Sequence, residues 1–287
     1  MSFYMEESLR WYGSDDTVTL RDIRQTGATA VITALHHIPY GAVWPLKEIK
    51  QRKGMIEAAG LRWAAVESLP VHEEIKTRTG NYREYIKNYI ESLYYIGKAG
   101  INTVIYNFMP VLDWVRTDLK YKLDDGSECL YFNPVHFAAF ELFLLKRKGA
   151  KNDYSKQQLK KAEDFYQSLS DKEKQDFERS IIDVFPGTKL GLNIQDIRNM
   201  IAKYKDIDKQ KLKEHFSLFL KQVIPAAKEA GVRMAVHPDD PPYSIMGLPR
   251  IVSTEDDIKD LLLTIDEPEN GLSLCPGSLS PREDNDI

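Results

Sequence analysis

An amphipathic helix that stops at a glycine and passes at once into a short β-rich run recurs along this chain, and that rhythm restricts the fold more than any other feature. Helical spacing over residues 45–59 ends at Gly60, and residues 61–66 follow as a strand leading to Glu67 and Ser68. Residues 81–99, with Ile86, Ile90 and Leu93 in apolar positions, end at Gly100, and the run 101–108 follows. A helix over 209–230 gives way at Gly231 to a strand that ends in His237. Glycine stops helices because it enters the left-handed region without steric cost. Helices alternating with short apolar runs predict βα units around a parallel sheet. A strand at 9–12, a helix at 19–26 with a strand at 29–35, a helix at 254–264 and a strand at 271–275 complete six strands. Thr254, followed by Glu255, Asp256 and Asp257, reads as the N-cap of the last helix with acids in its first turn.

The rhythm breaks between residues 121 and 204, a stretch rich in Lys, Asp, Glu and Gln. Most of it reads as solvated helix, over 154–169 and 171–184, and it is taken as a helical insertion in a βα loop. A doubly wound sheet can stop at six strands, but no glycine-rich phosphate loop follows the first one. Without the insertion about 200 residues remain, the lower end for a barrel. The expected fold is therefore α/β, a (β/α)8 TIM barrel represented by about six βα units. It forms a single domain over 1–287, truncated at its C-terminus and carrying the insertion at 121–204. The formal charge of -4 and the lack of a basic run point away from nucleic acid. Two cysteines are too few for a disulfide framework. No uncharged stretch nears the ~18 residues needed to span a bilayer. The expectation is a cytoplasmic protein without a membrane partner.

In such barrels, chemistry gathers where the strands end. The polar groups at those ends are His36 and His37; Glu67 with His72; Asn107 with Asp113 and Arg116; His237 with Asp239 and Asp240; and Cys275. Imidazole, thiolate and carboxylate together suit a borderline divalent metal. Each group also has a plainer reading: Cys275 as a buried thiol, the histidine pair as packing, Glu67 as a cap or ion pair. Arg116 with Asp113 and Asp118 is either a clamp for a carboxylated ligand or a surface ion cluster. Trp44 and Trp114 either pack a sugar face or belong to the core. His136 and His215 lie away from the strand ends and are read as packing or surface residues.

The segments TALHHIPYGAVW, VESLPVHEEIKTRTGNY, YNFMPVLDWVRTDL, YKDIDK, VRMAVHPDDPP and GLPRIVST together resemble the D-mannonate dehydratases of hexuronate catabolism. The likeness runs from about Trp11 to Asp286. It implies a barrel similar to xylose isomerase. The reaction it implies is loss of water from D-mannonate to give 2-dehydro-3-deoxy-D-gluconate, with Mn²⁺ or Fe²⁺ as cofactor. The family's metal ligands are His, Cys, His and Asp; the first two fall on His237 and Cys275. The other two, and the family's acid and base, belong to strands that would follow Ile287, so no residue of this chain is assigned either role. His36, His37, His72 and Arg116 are the candidates for gripping the polyol or its carboxylate. Where the family's cysteine motif continues Thr-Gly-Ser, this chain has Pro276-Gly277-Ser278.

Two expectations follow from this resemblance. The parent enzyme is a dehydratase acting on a small sugar acid, with a homo-oligomer compatible with the family. This chain, if complete, holds its metal weakly and is inactive or poorly folded. The alternatives are a metal-dependent sugar isomerase or epimerase on the same barrel, and a non-catalytic remnant.

Overall fold

Parallel pairing in the order β1-β2-β3-β4-β7-β8 builds the main sheet of this computed structural model, which describes residues 5–182 and 192–287. The chain runs through β1 (Ser8–Arg10), α1 (Leu20–Gln25), β2 (Ala30–Thr33), α2 (Leu46–Ala58), β3 (Arg62–Glu67), α3 (Glu73–Thr77), α4 (Tyr82–Lys98) and β4 (Thr103–Tyr106). A hairpin of β5 (Asp118–Lys122) and β6 (Glu128–Tyr131) comes next, with α5 (Pro134–Ala139), α6 (Lys156–Ser168), α7 (Asp171–Ile182) and α8 (Ile194–Ala202). Then come α9 (Lys209–Ala230), β7 (Arg233–Val236), α10 (Glu255–Thr264), β8 (Asn270–Leu272) and the single turn α11 (Pro276–Leu279). All six expected strands are present in the mostly parallel α/β arrangement that the βα rhythm required. Gly60 and Gly100 take φ of +75° and +77° as their helices end, the conformation that stops a helix without penalty only at glycine.

The chain forms two compact units. The first comprises Met1–Phe108, Lys211–Pro238 and Thr254–Pro276; the second comprises Met109–Gln210, Asp239–Ser253 and Gly277–Ile287. In the first unit, strand alternation gives the sheet two unlike faces. Val31, Val66, Val104, Tyr106, Met234 and Val236 lie on the face that is fully buried. Phe216 and Phe219 of α9 pack there against Tyr106 and Phe108, at ring separations of 4.6–6.3 Å. Burying each such aromatic stabilises the fold by about 1.5–3 kcal/mol. Helices α4 and α9 come so close that a Cβ on Gly97 would stand 2.1 Å from the Ala230 carbonyl oxygen. On the opposite face the register aligns Arg10 with Ile32 and Ile32 with Ala65. It also aligns Glu67 with Ile105, Ile105 with Ala235, and Ala235 with Gly271. Ile32, Ala235 and Gly271 on this side are only half-buried.

The second unit holds the stretch from 121 to 204. Helices appear where solvated helix is expected, as α6 and α7, capped at the start of α6 by Ser155; positions 183 and 184 of the expected second helix lie outside the described residues. The hairpin is a feature the periodicity did not reveal. Its strand residues are largely exposed, so no apolar alternation marks them, although Asp125-Gly126 at the tip is a common hairpin turn. Phe137, Phe140, Phe177 and Ile181 are buried in this unit, and His136 stacks on Phe165 at 3.9 Å. Among the described residues no helix is long and apolar enough to cross a membrane.

Candidate active site

The chemistry-bearing groups of the first unit collect where its strands end. His237 directly follows β7 and its backbone N–H donates to the Tyr106 carbonyl at 2.9 Å, extending the ladder one residue past the strand. β8 lies beside β7, with Val236 aligned to Leu272, and three residues further on is Cys275. The His237 ring Nδ1 is 2.8 Å from the Pro238 carbonyl oxygen. A carbonyl can only accept, so this contact fixes the proton on Nδ1 and leaves Nε2 with a lone pair to offer. Burial pulls the imidazole toward its neutral form. The hydrogen bond and charge of Cys275, the Pro238 carbonyl and the Glu67 carboxylate outweigh that, and together hold its pKa above the ordinary 6.5.

An imidazole whose second nitrogen is held by a backbone carbonyl, beside a thiol, is a donor pair that fits a borderline divalent metal. Among the described residues no group of three or more His, Cys, Asp or Glu side chains assembles into a fuller cage. Pro276 opens the helical turn α11. At the first position of a helical turn a missing N–H removes nothing that the helix would use, so the departure from the family motif is locally accommodated.

Glu67 ends β3 and binds Arg10, the last residue of β1, through Nη1 at 2.9 Å. The Arg10 guanidinium lies 5.1 Å from the centre of the Tyr12 ring, and that ring lies 5.8 Å from His36. Arg10 and Tyr12 escaped the sequence reading because a lone Arg-Trp-Tyr run has no metal or acid/base pattern. The strand register, which brings β1 and β3 to one face, is the signal that finds them.

The other sequence candidates each have local partners of their own. His37 is exposed and pairs with Glu48 at 3.3 Å. His72 caps α3, its Nδ1 accepting from the Glu74 N–H at 3.1 Å. Its ring lies 3.8 Å from that of Tyr85, and both line a small cavity with Trp44, Leu69 and Tyr89. Trp44 is 1% exposed and belongs to the core. In the second unit Arg116 is bound on both terminal nitrogens by Asp240, at 2.8 Å each. It also donates to the Val115 carbonyl at 2.7 Å and lies over the ring of the half-buried Trp114 at 5.3 Å. Asp240 also accepts from Ser278 at 3.2 Å. Asp239 is 1% exposed and accepts from the Val252 N–H at 2.7 Å and the Ser253 hydroxyl at 2.8 Å. It braces the second unit. His215 is likewise a packing residue: it is buried, with Nδ1 2.7 Å from the Lys76 carbonyl oxygen.

The chain is 53% identical over 283 residues to a mannonate dehydratase of Marinomonas sp., covering 99% of this chain and 72% of that protein. To a mannonate dehydratase of Saccharophagus degradans it is 46% identical, over 99% of this chain and 71% of that protein. Among solved structures, the mannonate dehydratase of Streptococcus suis serotype 2 superposes with a TM-score of 0.75 at 35% identity, covering 99% of this chain and 68% of that one. The family model for D-mannonate dehydratase (UxuA) matches residues 5–287, nearly the whole chain and every strand of the sheet. The chain belongs to the D-mannonate dehydratase family.

Proposed function

We propose that this chain removes water from D-mannonate to give 2-dehydro-3-deoxy-D-gluconate, a step of hexuronate catabolism, with Mn²⁺ or Fe²⁺ as cofactor. The observation that carries the reading is the His237–Cys275 pair at the ends of two adjacent strands. The C2 proton of D-mannonate lies next to the carboxylate, and the hydroxyl that departs is on C3. Elimination therefore needs a base, an acid and stabilisation of charge that builds on the carboxylate side. A divalent cation supplies Lewis-acid stabilisation of that charge when bound. His237 would hold it through Nε2 because Nδ1 is engaged by Pro238, and Cys275 would hold it as thiolate. The same reading gives His36, His37, His72 and Arg116 the task of gripping the polyol or its carboxylate. It also carries a cytoplasmic location, self-association, and residues 121–204 as a βα-loop insertion within one barrel domain.

The test is to incubate the reduced, Mn²⁺-supplied chain with D-mannonate and assay the 2-keto-3-deoxy acid. Turnover in the wild type, lost in Cys275→Ser, is the expected result. An isomeric sugar acid in place of the dehydrated product would transfer the chain to sugar isomerisation. No product from a folded chain whose melting temperature responds to Mn²⁺ would refute the dehydratase reading.

A further inference from the structure

We propose that Arg10 binds the carboxylate of the sugar acid, with Glu67 holding its guanidinium in place; the proposal rests on the dehydratase reading and adds a binding residue to it. Strand register carries the argument. Arg10 is aligned with Ile32, and Ile32 with Ala65, so Arg10 and Glu67, two residues beyond Ala65, point to the same side of the sheet. Glu67 is aligned with Ile105 and Ile105 with Ala235; two residues beyond Ala235 is His237. Arg10, Glu67 and His237 thus share one face and one rim. The aligned residues between them, Ile32, Ala65, Ile105 and Ala235, are uncharged. Among the described residues of the six strands, Arg10 is the cation at the C-terminal rim of this face.

The state of its guanidinium points to an anion. Arg10 offers five N–H donors, and one nitrogen, Nη1, is engaged by Glu67 at 2.9 Å. Its Nε is enclosed and has no hydrogen-bond partner among the described residues. An enclosed donor left unmatched is unfavourable, and a carboxylate oxygen is the acceptor that recovers most when it arrives, because both partners are then charged. Glu67 on Nη1 leaves the side-on edge formed by Nε and Nη2 for a second carboxylate. Tyr12, whose ring centre lies 5.1 Å from the guanidinium carbon, is itself an exposed residue. Arg116 differs: both of its terminal nitrogens are already engaged by Asp240.

The experiment measures equilibrium binding of D-mannonate and of the uncharged polyol D-mannitol to the full chain with Mn²⁺, beside turnover, for wild type, Arg10→Met and Arg10→Lys. Arg10→Met should weaken D-mannonate binding on the order of 10–100-fold, the loss of a charged hydrogen-bonded pair, and leave D-mannitol binding unchanged. KM should rise by more than kcat falls. Arg10→Lys should recover part of the affinity, since it restores the charge without the planar fork. Unaltered D-mannonate binding in Arg10→Met overturns the proposal, and so does an equal loss for both ligands, which would mean that Arg10 only supports the rim. Wild type that binds D-mannonate without dehydrating it refutes the dehydratase reading alone, and Arg10 is then judged on the binding ratio. Wild type that binds neither ligand overturns both.

Discussion

Removing the Asp239 carboxylate should unfold the second unit many degrees early while leaving the metal response of His237 and Cys275 intact. Asp239 sits two residues after the candidate ligand His237, in a motif whose acids look like a site from sequence. Its Oδ2 instead accepts from the Val252 N–H and the Ser253 hydroxyl, at 2.7 and 2.8 Å. Its Oδ1 lies 4.0 Å from Arg250, and neither side chain of that pair is more than 2% exposed. Arg250 in turn donates to the Leu112 carbonyl at 3.1 Å. Asp239→Ala takes the carboxylate away from a buried guanidinium and strips two donors of their acceptor. Breaking a buried pair from one side costs about 3–5 kcal/mol, a large share of a typical total of roughly 5–15 kcal/mol. At roughly 2–4 °C per kcal/mol, the melting temperature should fall by about 6–20 °C. Asp239→Asn, which keeps the shape and one acceptor, should fall between. Arg250→Met added to Asp239→Asn should recover part of the loss, because no unbalanced charge then remains buried. Melting followed by circular dichroism with and without Mn²⁺ reads both effects. An Asp239→Ala chain that melts within about 2 °C of wild type but no longer responds to Mn²⁺ would refute the reasoning and return Asp239 to the site.

Gly97→Ala should destabilise the chain, although alanine favours a helix interior by about 1 kcal/mol over glycine. The new methyl would meet the Ala230 carbonyl oxygen at 2.1 Å, and chemical denaturation with a gain in stability would show that the helices can part freely. His215 yields a pH dependence. Burial pushes its pKa below 6.5 against the opposing pull of the Lys76 carbonyl, so the fold prefers the neutral ring. That contribution is present above pH 6.5 and is lost as pH falls through the lowered folded value. His136, lowered by its own burial, adds the same sign. Melting temperature should therefore fall from pH 7 to 5 with a slope that flattens in His215→Gln, and an unchanged slope would count against the assignment.

The main sheet was legible because β2, β3, β4 and β7 are each announced twice, by periodicity and by the glycine that ends the preceding helix. The hairpin of β5 and β6 was not, since strands exposed on their faces carry no alternation to read. At the site, His237 and Cys275 were visible as polar groups ending apolar runs. Arg10 was hidden, because its meaning depends on which strand lies beside which, and pairing register is a tertiary fact. Asp239 illustrates the reverse: a carboxylate in a motif rich in chemistry is spent on bracing a loop, and only its hydrogen-bond partners distinguish the two uses. Trp44 turned out to be core because its surroundings, the Ser92 hydroxyl at 2.9 Å from its backbone N–H included, are supplied by a helix far along the chain.

The chain passes back and forth between its two units five times, and neither is a contiguous stretch. Strand β4 finds β7 only after Arg233 has been made, about 130 residues after Thr103, and closing a loop of that length costs entropy that local contacts do not return. The first unit therefore cannot finish during early synthesis: β1 to β4 must wait, with one edge unpaired, while the whole of residues 109–210 is produced. A growing chain in that condition is exposed to misassociation, and expression at lowered temperature or with chaperones should raise its soluble yield. The same threading means that cutting the gene at either end of the long excursion separates neither unit from the other.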